Sequence, residues 1–425
     1  MARRLCGLAL LGSVLIFSGM VQAADWPGFR GPNRDGICTE AGLLTDWSAA
    51  PKLLWQMKGL GRGFASFAII GSKAYTMGDR GPDGYVIAID LSTQKEIWST
   101  KIGTAWTKSN DPGSRCTPTV DGELMYALTG NGEMACLETA TGKVVWTKNF
   151  AKDFAGKMMS GWGYSESPLI DGDKVVVTPG GNDSMMVAMN KKTGEVIWKA
   201  KVGTLGGKGK DGAGYSSIVV AEIAGVKQYI AMVGKGGIGI AAADGKFLWT
   251  YTKAANGTAN ITTPLVKGDL VFLSSAYGAG SGCVKLSADG NGGVKAEEIY
   301  SLDAKTFQNH HGGVVQVGDY LYGGQGQNAG LPVCIELKTG KIAWTAPKAP
   351  SGGSAAVLAY EGGVIFRYEK GAAVVLIAAD PAKFEVKGQF KLPVDEGPAW
   401  SHPVIHDAKL YVRTQDTLMC YDLKK

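Results

Sequence analysis

Ala188 to Trp198 reads AMNKKTGEVIW, and close copies stand at 88–98 (AIDLSTQKEIW), 136–146 (CLETATGKVVW) and 334–344 (CIELKTGKIAW). Each copy starts with a small residue, carries an acid or Asn third, usually has Thr-Gly at the sixth and seventh positions, and ends in Trp. The final aromatic recurs as Trp55, Trp98, Trp146, Trp198, Trp249, Tyr300, Trp344 and Phe390, at intervals of 43 to 52 residues. A period of that size belongs to a propeller blade or a solenoid unit, and alternating apolar strands in place of helices select the propeller.

One period, 165–202, supplies the blade: SESPLIDGDKVVVTPGG gives two strands joined at Asp171-Gly172-Asp173, SMMVAMN a third and EVIWKAKV a fourth. Asp-Gly and Thr-Gly provide the tight turns. The last segment, 399–423, holds only three strands. The missing outer one is expected at Pro51-Lys52-Leu53-Leu54-Trp55, closing an all-β, eight-bladed ring of four-stranded antiparallel blades without a free edge. The repeated phrase is therefore architecture: a buried Trp brings about 150–250 Å² to each joint, and a small partner must admit it.

The 62 glycines and 11 tryptophans agree with many short strands and tight turns. Arg3 and Arg4 before the apolar run Leu8 to Phe17, followed by Val21-Gln22-Ala23, form the pattern of a secretory signal peptide over 1–23, cleaved near Ala23. The mature protein is expected in the periplasm or outside the cell. Residues 24–50 form an irregular N-terminal arm, with Trp26 and Phe29 pinning it to the ring and Arg30 and Arg34 available as a flap over the funnel. Residues 51–425 form a single propeller, expected to be a monomer with no membrane span. Without the two leader arginines, 42 basic side chains face 38 acidic ones. No basic patch interleaved with aromatics speaks for nucleic acid.

Six cysteines follow residue 23. Cys136 and Cys334 occupy the small first position of the phrase, and Cys283 and Cys420 comparable third-strand positions, so these four are read as core residues. Cys38 and Cys116 fall outside that register and are open to pairing or to remaining free.

The phrase A-x-D-x-x-T-G-x-x-x-W resembles the tryptophan-docking motif of the pyrroloquinoline-quinone (PQQ) repeat propellers. That superfamily includes quinoprotein alcohol dehydrogenases and the propeller lipoprotein subunit of the outer-membrane β-barrel assembly machine. The resemblance covers about residues 51–425 and implies the fold; function is carried by sites grafted on it. The arm from Asp25 to Gly36 also resembles the opening segment of many secreted members. An enzyme of the class would imply PQQ and Ca²⁺, an Arg or Lys near the quinone oxygens and an Asp base. The adjacent Cys-Cys pair common in those dehydrogenases is missing here, as are a C-x-x-C-H haem site and a clear Asp base.

In a propeller the first strand of each blade lines the channel, so the segments leading into those strands are where a ligand would sit. They contain Arg115-Cys116-Thr117-Pro118, Ser165-Glu166-Ser167-Pro168, Tyr215-Ser216, Asn260 to Pro264, Asn309-His310-His311 and Trp400-Ser401-His402-Pro403. Aligned on Ser/Thr-Pro, they put Cys116, Glu166, Tyr215, Thr262, His311 and Ser401 at one level. His310, His311 and Glu166 read as a metal site or acid/base pair, or as polar channel residues bonded to one another and to water. Adjacent histidines on a strand would point to opposite faces. Trp162 and Trp400 fall outside the repeat register and read as stacking walls or as plugs. As quinone and calcium ligands, Glu166, Asn260 and Asn309 are imaginable, with Arg115 as the cation.

Taken together, the residues favour an exported, non-catalytic propeller that binds a protein partner of the envelope or a small ligand in its funnel. The competing reading is a PQQ- and Ca-dependent dehydrogenase of alcohols or sugars.

Overall fold

The computed structural model describes residues 24–425, so the leader assigned to 1–23 lies outside the described residues. Eight sheets follow one another around a ring. Blade 1 consists of Ala68–Ile70, Lys73–Arg80, Asp83–Asp90 and Lys95–Thr104, paired antiparallel in chain order. Blades 2 to 7 repeat that order, with inner strands Thr119–Asp121, Leu169–Asp171, Val219–Ile223, Leu265–Lys267, Val314–Val317 and Ala355–Tyr360. Blade 8 has Val404–His406, Lys409–Thr414 and Thr417–Asp422, and takes its outer strand from Leu53–Met57, which pairs antiparallel with Thr417–Asp422. The ring is thereby closed as expected. Phe150–Phe154 is the one helix among the described residues.

Strand pairing explains the small first position of the phrase. In seven blades it stands directly across from the aromatic: Ala88 from Trp98, Cys136 from Trp146, Ala188 from Trp198, Gly239 from Trp249, Cys283 from Tyr300, Cys334 from Trp344 and Cys420 from Trp55. The ladder slips by one residue beside each of these pairs, a bulge that re-aims the ring. Trp98, Trp146, Trp198 and Trp344 then donate their indole N–H to a carbonyl of the following blade, at Thr139, Lys191, Ala242 and Asp380. The motif glycine packs on the ring it faces: at Gly245, φ is +77° and an added Cβ would stand 2.6 Å from Trp198 Cε3.

All six cysteines among the described residues are free and buried. Cys38 pairs alongside Tyr360 in blade 7, while Cys116 lies before the inner strand of blade 2 in another core cluster, so the two thiols do not meet.

The arm departs from the flap expected of Arg30 and Arg34. It runs beneath the channel. Trp26 bridges Ile69 of blade 1, and Pro27 O accepts from Val120 N of blade 2. The Arg34 guanidinium donates to the Ser167 and Pro168 carbonyls beside blade 3, and Arg30 to Val314 O of blade 6. Ile37–Cys38 adds a fifth, innermost strand to blade 7, parallel to Ala355–Tyr360. Inner-strand carbonyls at one end of a narrow channel need donors, and two arginines from the arm supply them. The arm is a plug at the opposite end from the funnel.

Candidate functional site

The segments leading into the inner strands interlock by a shared device. Ser66 N donates to Thr117 Oγ1 (3.0 Å), Thr117 N to Ser167 Oγ (3.0 Å) and Ser167 N to Ser217 Oγ (3.0 Å). At these three joints one blade's backbone is thus held by the next blade's hydroxyl. This chain fixes the register: Ser217 is the counterpart of Thr117 and Ser167, so Ser216, and not Tyr215, shares the level of Cys116 and Glu166. Alternation along extended backbone then decides which residues see the channel. Thr117 and Ser217 line it, while Cys116 and Glu166 turn into the packing between blades.

Above the plug lies a chamber of about 300 Å³. Seven of the ten sequence-predicted residues line it: Arg115, Trp162, Tyr215, His310, His311, Trp400 and His402. Trp400 stacks on Phe64 with ring centroids 4.2 Å apart and planes 25° apart, and the Arg115 guanidinium lies 5.0 Å from the Phe64 centroid and 5.7 Å from that of Trp400. Arg115 is fixed by its own loop, donating to Gly113 O and Asp111 O, and burial lowers its pKa to about 10, so it stays charged at neutral pH. On another wall Trp162 N donates to Tyr215 Oη, which bonds Ser160 Oγ. Both tryptophans present an edge or face to the chamber and also pack on a neighbouring loop.

The stretch holding His310 and His311 is not a strand, and the two rings come together at 4.0 Å instead of diverging. His310 Nδ1 meets Ser354 Oγ at 3.0 Å and Nε2 meets Tyr277 Oη at 2.8 Å. Burial holds His310 down to about 4, His402 down to about 3 and His311 well below its ordinary value. All three are neutral at physiological pH and act as hydrogen-bonding surfaces. Glu369 Oε2 stands 4.0 Å from His311 Nε2, beyond hydrogen-bond reach.

Glu166, Asn260 and Asn309 are buried behind the chamber wall. Asn260 Oδ1 accepts from Asn256 and Ser275, and its Nδ2 donates to Val233 O and Gly234 O. Asn309 Oδ1 accepts from Thr262, and its Nδ2 donates to Gly324 O. Glu166 Oε1 accepts from Thr178 N. A calcium ion needs six to eight oxygen ligands, and these oxygens are walled off and largely spent on the protein itself. Among the described residues no group of three His, Cys, Asp or Glu could hold a metal ion. The side chains present therefore do not fit a calcium-bound quinone of the dehydrogenase kind.

Tyr277, Asn328 and Glu369 line the chamber without having been singled out in the sequence. Each stands in a loop between the second and third strands of its blade, in AYGAG, GQNAG and RYEKG. Those loops open on the same end of the channel as the segments leading into the inner strands, so polar or aromatic residues beside their glycines were the available signal. Phe64 precedes the first blade's inner strand. Phe29 and Arg30 come from the arm.

A family profile described as outer membrane protein assembly factor BamB matches residues 82–346, more than half of the chain. The chain belongs to this family. A BamB of Burkholderia pseudomallei is 28% identical over 124 residues, which is 28% of this chain and 28% of that relative, so the alignment spans under a third of its length. Among solved structures, BamB from Moraxella catarrhalis superposes with a TM-score of 0.63 at 12% identity, covering 88% of this chain and 100% of that one. The quinohemoprotein alcohol dehydrogenase of Comamonas testosteroni gives 0.64 at 12% identity over 93% of this chain and 80% of its own. These likenesses show the shared propeller. No helix among the described residues is long and apolar enough to cross a membrane.

Proposed function

We propose that this chain is an exported, non-catalytic binding propeller whose chamber receives a small, flat organic ligand. The observation that carries the reading is the chamber itself: it is closed below by the arm and walled by Trp400 stacked on Phe64 and by Trp162 beside Tyr215. Closed apolar walls with a few fixed polar groups are what small-molecule sites present. The neutral histidines and the distance from His311 to Glu369 offer no acid/base pair in bonding contact. Export is supported by the Arg3-Arg4 and Leu8 to Phe17 pattern. Titration with 1,4-naphthoquinone and with PQQ, each with and without Ca²⁺, followed by tryptophan fluorescence, tests the reading. Saturable quenching that is weakened in Trp400→Ala and insensitive to Ca²⁺ is the expected result. Calcium-dependent PQQ binding with dye-linked alcohol oxidation would overturn it in favour of the dehydrogenase.

A second reading is favoured by the family: a scaffold for a protein partner in envelope assembly. It expects one reproducible crosslinked partner whose binding is unchanged by Trp400→Ala, together with no quenching by either small probe.

A further inference from the structure

Arg30 is more than the arm needs as an anchor. Its Nη2 alone makes the recorded bonds, to Asp35 O at 2.7 Å and Val314 O at 2.6 Å. Among the described residues Nη1 has no hydrogen-bond partner, and neither has the buried Nε. The side chain is 5% exposed and borders the chamber. Asp35 is the acid that bears on it, but its Oδ1 is engaged by Ile37 N and its bond to Arg30 is through the backbone carbonyl. A buried cation with three of its five N–H donors unmet is costly unless something pairs it.

The chamber that this free end borders is lined by further donors. Gly313, with φ +74°, leaves open the space into which Nη1 reaches, since a Cβ there would collide with it and would stand 3.4 Å from His402 Cε1. Thr117 Oγ1 and Ser217 Oγ each accept a backbone N–H from the preceding blade, and their own protons meet no acceptor among the described residues. Both hydroxyls border the same chamber. His402 Nδ1 is buried and unpartnered, with Phe29 against its ring at 5.1 Å. The acids bordering the chamber are Asp111 and Glu369; the latter accepts from Ser354 N on the blade 7 side.

We propose that the floor of the chamber is an anion site in which Arg30 Nη1, aided by the Thr117 and Ser217 hydroxyls, receives a small oxyanion or the carboxylate head of a larger ligand. Charge-assisted hydrogen bonds from a fixed guanidinium are the strong kind. The site goes beyond the aromatic-chamber reading, because a free anion fills it with no flat ligand present.

Formate and benzoate separate the two sources. Each is titrated against the purified protein at ionic strength held constant by a bulky sulfonate, with the melting temperature as readout, and the series is repeated on Arg30→Gln. Saturable stabilisation by formate, weakened at least about tenfold in the variant, establishes a site for free anions; stabilisation by benzoate alone, equally dependent on Arg30, establishes a pocket for an acidic head. Where Arg30→Gln does not fold, crystals of the unaltered protein soaked in bromide are expected to show an anomalous peak within hydrogen-bond reach of Arg30 Nη1. No stabilisation by either anion, an effect unchanged in Arg30→Gln, or no such peak overturns the site. Naphthoquinone quenching that persists in those cases leaves the aromatic chamber standing, so the two ideas fail separately.

Discussion

Glu166 pairs one oxygen with Thr178 N and leaves the other, Oε2, buried without a partner. Burial pushes its pKa up to about 7, against the pull of Thr178 and of Arg34. Folding thus takes up a proton between the unfolded value near 4.5 and 7, and the native state loses stability from this group as pH rises through that window, by up to about 3 kcal/mol. The chamber histidines act with the opposite sign. Their pKa values are depressed, so their contribution is full above about 6.5 and is lost as pH falls toward 3 to 4. The unaltered protein mixes the two effects, and the difference between Glu166→Gln and the parent isolates one. That difference in unfolding free energy is expected near zero at pH 4 and in favour of the Gln variant by about 3 kcal/mol at pH 8. Parallel curves would show that Glu166 titrates normally. The thiols offer a second check at this scale, since burial raises Cys38, Cys116, Cys136, Cys283 and Cys420 to about 12 and Cys334 to about 11. At pH 8 a thiol reagent is expected to find none of these six in the native protein and all of them in denaturant. Four reactive thiols after denaturation would mean that a bridge joins two of them.

At the scale of elements, the joint between blades 8 and 1, where the chain's two ends meet, is bridged by a buried arginine. Arg413, in the second strand of blade 8, sends its guanidinium into blade 1, bonding Thr76 Oγ1 (2.9 Å), Met77 O (2.6 Å), Ala65 O (3.2 Å) and Gly61 O (3.1 Å), while Nε holds Gln415 O (2.7 Å). Removing it would strand several buried carbonyls at the closing joint. Arg413→Ala is expected to cost about 3–5 kcal/mol, read as a fall in denaturant midpoint larger than that of an exposed control such as Lys58→Ala. A change under about 1 kcal/mol would mean that water replaces the guanidinium there. This joint marks the boundary of what was legible in the sequence. Blades, turns and the closing strand were readable because period, Asp-Gly turns and the small residue opposite each Trp are local signals. Arg413 looked like any strand residue, since its partners at blade 1 lie more than 330 positions away. The arm failed for the same reason: Arg30 and Arg34 were visible as charges on a glycine-rich segment, but only the ring's geometry shows that inner-strand carbonyls await them. Within the chamber, aligning on Ser/Thr-Pro found the right end of the channel, yet shifted blade 4 by one residue, because Ser217 is followed by Ile218 and the Pro marker is absent. Glu166, read as a channel group, turns into the blade joint by simple alternation.

For the whole molecule, the question is whether a ring of eight blades yields blade by blade or layer by layer. Each third strand is buried on both faces: Gly236–Ala241 is buried throughout and Ala373–Ala378 nearly so. Each outer strand pairs on one edge only and shows solvent one face, with Ile97, Val145 and Ile197 all more than 40% exposed. Inner strands are short, three residues in blades 1, 2, 3, 5 and 8, but each is braced across the channel by hydroxyl bonds to the next blade or by the arm. Opening one blade would break two joints, whereas fraying an outer strand breaks one ladder, so local opening should follow the radius. Amide hydrogen exchange is expected to be fastest in Lys95–Thr104, Val196–Ala200 and their counterparts, including Leu53–Met57, and slowest in the second and third strands of every blade. The inner strand of blade 7 should outlast those of its neighbours because Ile37–Cys38 covers its free edge. Exchange of any one blade as a unit, ahead of its neighbours, would contradict this ordering. Radial order also bears on function. Tyr277, Asn328 and Glu369 stand on loops between the second and third strands, the layers that open last, so that wall of the chamber is held in place before a ligand arrives and little ordering cost is left there to bind one.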